Sequence, residues 1–188
     1  MHRWAHALAL VLASMLACAA PLASRADSTA TKVVNYTPAR MNVVATARGS
    51  CWEGSIAVNR ADAYRCFIGN EIHDPCFTRG SGSVACPDIP DNDRGPLILL
   101  TKPLPQNTTT GATTAWAMRL QSGARCRAGT GTVIPGYPFY CSSVGVCASP
   151  LRPAGSAVYY TECGAPQSTS SGPKVVSSKR YAVSILWR

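Results

Sequence analysis

The chain has 188 residues, with 18 Lys and Arg against 9 Asp and Glu and a formal net charge of +9. Its 9 cysteines stand beside only 3 histidines and form no Cys-x-x-Cys, which argues against the usual Cys/His zinc patterns; no metal or cofactor is expected. The charge is uneven: residues 27–95 carry 7 basic and 8 acidic side chains, whereas residues 96–188 carry 9 basic side chains and Glu162 alone. Such asymmetry implies attraction to polyanions and says nothing about fold.

Residues 1–26 read as a secretory leader. His2 and Arg3 give a weakly positive start, residues 5–20 are apolar, and Ser24-Arg25-Ala26 offers small residues at the positions a signal peptidase reads. The apolar run is shorter than the roughly 20 residues that span a bilayer, so no integral span is expected after cleavage, and Cys18 leaves with the leader. Cleavage after Ala26 leaves 162 residues, enough for one domain with its own core. It also leaves Cys51, Cys66, Cys76, Cys86, Cys126, Cys141, Cys147 and Cys163. An even count in an exported chain predicts four disulfides. The 40-residue gap between Cys86 and Cys126 divides them into two groups of four, each expected to pair internally.

Residues 27–40 show little periodicity and are expected as a loose N-terminal arm before a single disulfide-bonded domain over residues 41–188. A first strand is predicted over residues 41–47. Asn59 is a candidate helix cap, and Ala61, Tyr64 and Ile68, with Ala63 and Phe67, recur at three- and four-residue spacing. One short helix near residues 60–68 is therefore predicted, stopping at Gly69-Asn70. Asp74-Pro75 predicts a turn or extended segment and residues 79–86 a loop, while residues 96–102, with Leu-Ile-Leu-Leu at the centre, predict a buried strand. Residues 103–114 are polar and Thr-rich and read as a flexible loop. Beyond Ala115, period-two segments recur: Trp116, Met118 and Leu120; residues 124–134; residues 158–163; and Tyr181, Val183, Ile185 and Trp187, with a Ser/Pro/Gly loop over 164–172. The fold class expected is mainly β, an antiparallel sandwich or small barrel with that one helix.

The stretches Ser50-Cys51-Trp52, Arg60 through Cys66, and Gly69-Asn-Glu-Ile-His-Asp-Pro-Cys-Phe77 resemble a family of small exported bacterial Cys-rich proteins of unknown function. The similarity extends weakly through residues 100–105 and Ala115-Trp116 to Arg125-Cys126. What the resemblance implies is export, to the periplasm or the medium, and a single disulfide-bonded domain. It implies no activity.

Few residues invite chemistry. His73, flanked by Glu71 and Asp74, is the one candidate acid–base residue, but carboxylates adjacent in sequence do not guarantee the geometry a general base needs. Asp88, Asp91 and Asp93 lack the glycine and glutamate spacing of a calcium loop. Trp52, Trp116 and Trp187, with Tyr159 and Tyr160, could line a sugar-binding face, but alternating aromatics fit core positions better; Trp52 is expected to pack on a disulfide. Arg119, Arg125, Arg127, Lys179 and Arg180 are the candidate binding residues, forming a basic face for acidic envelope polymers. Nucleic acid is not an expected partner of an exported chain without a recognisable binding fold. The reading reached is a non-catalytic exported binding or structural module. The alternatives are an inhibitor of a secreted hydrolase, presenting a braced loop such as residues 79–85, and a hydrolase using His73.

Overall fold

The computed structural model describes residues 29–88 and 93–188. The expected leader and Asp91 lie outside them. The arm expected over residues 27–40 is ordered where it is described: strand β1 (Lys32–Val34) runs parallel to Ile185–Trp187, and Pro38–Arg40 form one 3-10 turn. The final strand's backbone groups supply the partners that a stretch without periodicity gave no sign of.

A first barrel closes over β2 (Asn42–Gly54), β3 (Ala63–Ile68), β4 (Glu71–Thr78), β5 (Ser83–Ala85) and β6 (Arg94–Leu100). Four of its contacts are antiparallel, and the fifth, between β2 and β6, is parallel, as an odd number of strands requires. The long β2 serves two neighbours: residues 42–49 pair with β6 and residues 50–54 with β3. Gly49 marks the changeover, and a Cβ there would stand 2.1 Å from Phe67 O. With backbone on the other side of the contact, nothing can give cheaply. Gly49→Ala is expected to lose about 1–3 kcal/mol, read from the urea midpoint; an unchanged midpoint would show that the corner has room.

No helix forms over residues 60–68. Tyr64 and Cys66 point into the barrel and Arg65 and Phe67 away from it, a period of two. A short apolar run fits either period, and here the Cys51–Cys66 bridge and pairing on both edges of β3 decide for the strand. Asn59 caps nothing helical; its side-chain amide donates to Thr110 O and Ala112 O. Residues 79–86 likewise hold a strand, β5, rather than a loop throughout.

The second barrel has six strands: β7 (Ala117–Leu120), β8 (Arg125–Ala128), β9 (Phe139–Cys141), β10 (Gly145–Cys147), β11 (Tyr160–Gly164) and β14 (Lys179–Trp187). Between the last two, β12 (Pro166–Thr169) and β13 (Gly172–Val175) form a separate hairpin where a loop was expected. The alternation predicted for β14 breaks at a bulge between Val183 and Ile185. Leu186 rather than Ile185 therefore follows Val183 into the core.

Four disulfides join neighbouring strands: Cys51–Cys66, Cys76–Cys86, Cys126–Cys141 and Cys147–Cys163. Each barrel holds two, so both groups pair internally. Such bridges suit an oxidising compartment. They also replace core volume, since four half-cystines stand with Tyr64, Val84 and Ile98 in the first barrel's interior.

The barrels meet at a shared core. Ala63, Phe77 and Ala85 form one row across β3, β4 and β5 on the outer face of the first barrel, yet all three are fully buried. Tyr36 and Trp116 cover the row, with ring centroids 5.1 and 5.7 Å from that of Phe77. Trp116 is fixed to the second barrel through Trp187 O and Ala128 N. The segment between the barrels is equally tied: Asn107 Nδ2 donates toward the carbonyls of Arg60, Ala61 and Ala63.

Candidate functional site

Two groups of polar side chains compete for a functional reading. The first surrounds Asp74. A bulge sets Asp74 and Pro75 of β4 against the single residue Arg65 of β3, and proline suits such a place because no ladder donor is needed. The Asp74 carboxylate is buried there, where it accepts from Ser55 Oγ and, at 3.2 Å, from Ile56 N. Ser55 Oγ in turn accepts from Ala57 N and Val58 N. Arg65 Nε lies 3.2 Å from Asp74 Oδ2, an ion pair without hydrogen-bond alignment, while its terminal nitrogens donate to Glu53 Oε1 and Thr130 O. These bonds tie the turn 55–58 to β4 and Arg65 to the second barrel.

His73 belongs to the same strand but not to that network. Its Nε2 is buried without a hydrogen-bond partner, 3.7 Å from Glu71 Oε2. Among the described residues no hydroxyl or thiol is hydrogen-bonded to its ring. Burial pushes its pKa below the ordinary 6.5; Glu71 and Asp88 oppose the shift, and Arg127 adds to it. The folded state thus prefers neutral imidazole, so this contribution to stability is complete above about pH 6.5 and is lost as pH falls through the folded value. Replacing His73 by Gln is expected to flatten the decline of urea midpoint below that pH. An identical decline in both proteins would place its origin in other groups.

The second group is the predicted basic face. In β7, Met118 and Leu120 are buried and Arg119 points outward; in β8, Cys126 and Ala128 are buried, and Arg125 and Arg127 are exposed. Antiparallel register sets Arg119 directly opposite Arg125, and Arg127 opposite Ala117 on one side and Tyr140 on the other. Three arginines therefore share the outer face of one two-strand ladder. Arg119 and Arg125, with Thr29, Gln121 and Ser184, line an open concavity of about 590 Å³. Arg127 lies at the end nearer the first barrel, within Coulombic reach of His73.

The chain matches no family model, no curated protein and no solved structure.

Of the remaining two predicted residues, Arg180 joins the ladder's surface and Lys179 does not. Arg180 sits opposite Glu162 on the outer face, its guanidinium 4.3 Å from the centroid of Tyr160. Lys179 is adjacent in sequence and so projects from the opposite face of the strand, against Tyr181. Leu120 pairs with Val183, which puts Arg180 beyond the β7–β8 turn, toward the same end of the barrel as Arg119 and Arg125. Arg152 stands over Tyr159. The tyrosines thus support cations rather than a sugar-binding face, and Trp116 and Trp187 are core.

One exposed feature escaped the sequence reading. Trp52 does not cover a disulfide; as the bulged residue between Cys51 and Glu53 it turns out and stacks on Phe67, centroids 4.1 Å apart, with Arg65 over its ring. Phe67 and Ile72 are cross-strand partners, so three half-exposed apolar side chains are contiguous. The hairpin tip offered as an inhibitory loop is short: Arg79 N bonds to Ser83 O, leaving Gly80-Ser81-Gly82 to project.

Proposed function

We propose that the protein is an exported binding module that holds acidic envelope polymers on the outer face of its second barrel. The observation that carries this reading is the register that opposes Arg119 and Arg125, with Arg127 two residues on and the concavity beside them. The two guanidinium groups stand side by side on one face, so an anion lying along the ladder meets both. Repeating carboxylates or phosphates of a polymer are spaced to engage several guanidinium groups, each of which bonds an oxyanion in a fork. Four disulfides keep the face rigid in an oxidising periplasm or medium.

The test is a binding isotherm with a polyuronic acid, repeated over a series of salt concentrations. Screening over about 8 Å at physiological ionic strength predicts steep weakening with salt. Arg125→Glu with Arg127→Glu is expected to weaken binding about tenfold or more. The control pair is Arg48→Glu with Lys102→Glu, both exposed in the first barrel's surroundings; Arg60 and Arg65 are unsuitable because both are held in ion pairs. No binding at low salt, or equal loss from both pairs, would reduce the ladder to solubilising charge.

A further inference from the structure

The two bridges of the second barrel touch. Cys141 Sγ lies 3.0 Å from Cys147 Sγ, and the sulfurs of Cys126, Cys141 and Cys147 gather within 4.8 Å of one another. Register accounts for the contact. In the β9–β10 hairpin Cys141 opposes Gly145 while Phe139 opposes Cys147, so the two half-cystines are diagonal neighbours. Gly145 has a φ of 88°, and a Cβ there would meet Gly164 O at 2.5 Å. No side chain can stand opposite Cys141 on that strand, and Cys147 is the neighbour it reaches.

Exposure of the four cysteines is one-sided. Cys126 and Cys147 have no exposed surface and Cys163 has 2%, whereas Cys141, beside the turn 142–144, is half-buried. A thiol arriving from outside meets Cys141 first. Any thiolate formed there then has a second disulfide within contact distance, and exchange rates depend on such access as well as on thiolate character.

We infer that these four cysteines form a thiol–disulfide exchange site whose substrate is an external dithiol. One substrate thiolate attacks Cys141 Sγ, the Cys126–Cys141 bond breaks, and Cys126 leaves as a thiolate that takes up a proton. The second substrate thiolate attacks its own partner sulfur in the mixed disulfide; the substrate departs as a disulfide and Cys141 is released as a thiolate. Cys141 Sγ then attacks Cys147 Sγ, forming Cys141–Cys147 and breaking Cys147–Cys163; Cys163 leaves as a thiolate and takes up from solvent the proton that the second substrate thiol gave up. The substrate has lost two electrons and the protein has gained them. The thiol pair has moved from Cys126 and Cys141 to Cys126 and Cys163, both buried, and the half-buried Cys141 is again in a disulfide.

The exchange step can be isolated without a reductant. In Cys126→Ser the unpaired thiol begins on Cys141. Acid quenching, denaturation at low pH, alkylation and peptide mapping are expected to divide the label between Cys141 and Cys163 and to recover a Cys141–Cys147 cross-link. In Cys163→Ser the label is expected to divide between Cys147 and Cys126. Among the described residues no other trio of potential ligand atoms is as close, so Cys86→Ser in the first barrel is expected to keep its label on Cys76. Label confined to Cys141 in the first variant and to Cys147 in the second would overturn the inference. Should neither variant fold, wild-type protein treated with one equivalent of dithiothreitol serves: two-electron-reduced chains labelled at Cys126 and Cys163 support exchange, and labels confined to native bridge partners refute it.

Discussion

Phe77→Ala is expected to lower stability by about 3–5 kcal/mol and to separate the unfolding of the two barrels. Phe77 has no exposed surface, and its cross-strand neighbours are Ala63 and Ala85, too small to move into the space it would leave. Its ring is shared by Tyr36, by Trp116 and by the Arg60 guanidinium, which stands 4.5 Å from the centroid. Arg60 is itself held by both oxygens of Asp62 and by Tyr36 O, so it cannot follow the cavity inward. The lost ring therefore forfeits transfer energy and leaves a void as well. Because this contact joins the cores of the barrels, its loss also weakens the coupling that makes their unfolding one event. Urea unfolding followed by tryptophan fluorescence and by far-UV circular dichroism should give coincident curves for the wild type and separated curves for the variant. Coincident curves with a loss under about 1 kcal/mol would mean that the row Ala63–Phe77–Ala85 is not the joint.

The sequence made the β class, the two disulfide groups and the basic second half legible because each depends on local or compositional signals. Strand alternation showed in Trp116, Met118 and Leu120, and Arg119 was correctly set on the opposite face from them. What failed depended on partners distant in sequence. Residues 60–68 satisfy helical and strand periods alike, and only pairing with β2 and β4 separates the two. β1 has no pattern of its own, since its partner is more than 150 residues away in β14. The division into two barrels left no repeat to detect; it follows from Gly49 and from the parallel closure of β2 on β6. Within the candidate site, Arg125 and Arg127 were visible as alternating positions. Their opposition to Arg119 and the separation of Lys179 from Arg180 are consequences of register. Bulges account for the rest: those at Trp52, at Asp74-Pro75 and between Val183 and Ile185 each redirect a side chain, and the last interrupts the alternation predicted for residues 181–187.

Arg65→Met is expected to cost about 3–5 kcal/mol at neutral pH, with a loss that shrinks as the solution is acidified. Methionine preserves the stem and removes the cation, so packing changes little while the Asp74 carboxylate, with no exposed side-chain surface, is left without its charged neighbour. Burial already pushes Asp74 above the ordinary 3.8; the bonds from Ser55 and Ile56 and then the Arg65 charge oppose that rise. Since the folded value exceeds the unfolded one, the native state binds the proton more tightly. The stabilising contribution of protonation is complete below 3.8 and is lost as pH rises through the folded value. Without Arg65 the carboxyl moves further up, the same window widens, and stability falls more steeply toward neutrality. Protonated Asp74 needs no cation. Urea midpoints of both proteins measured from about pH 4 to pH 8 should therefore converge at the acid end. Arg65→Lys, which restores charge without the fork that reaches Glu53 and Thr130 together, should recover the pH dependence but only part of the stability. A loss that is the same at every pH would show that Arg65 acts through packing and its bond to Thr130, and that Asp74 is held by Ser55 and Ile56 without it.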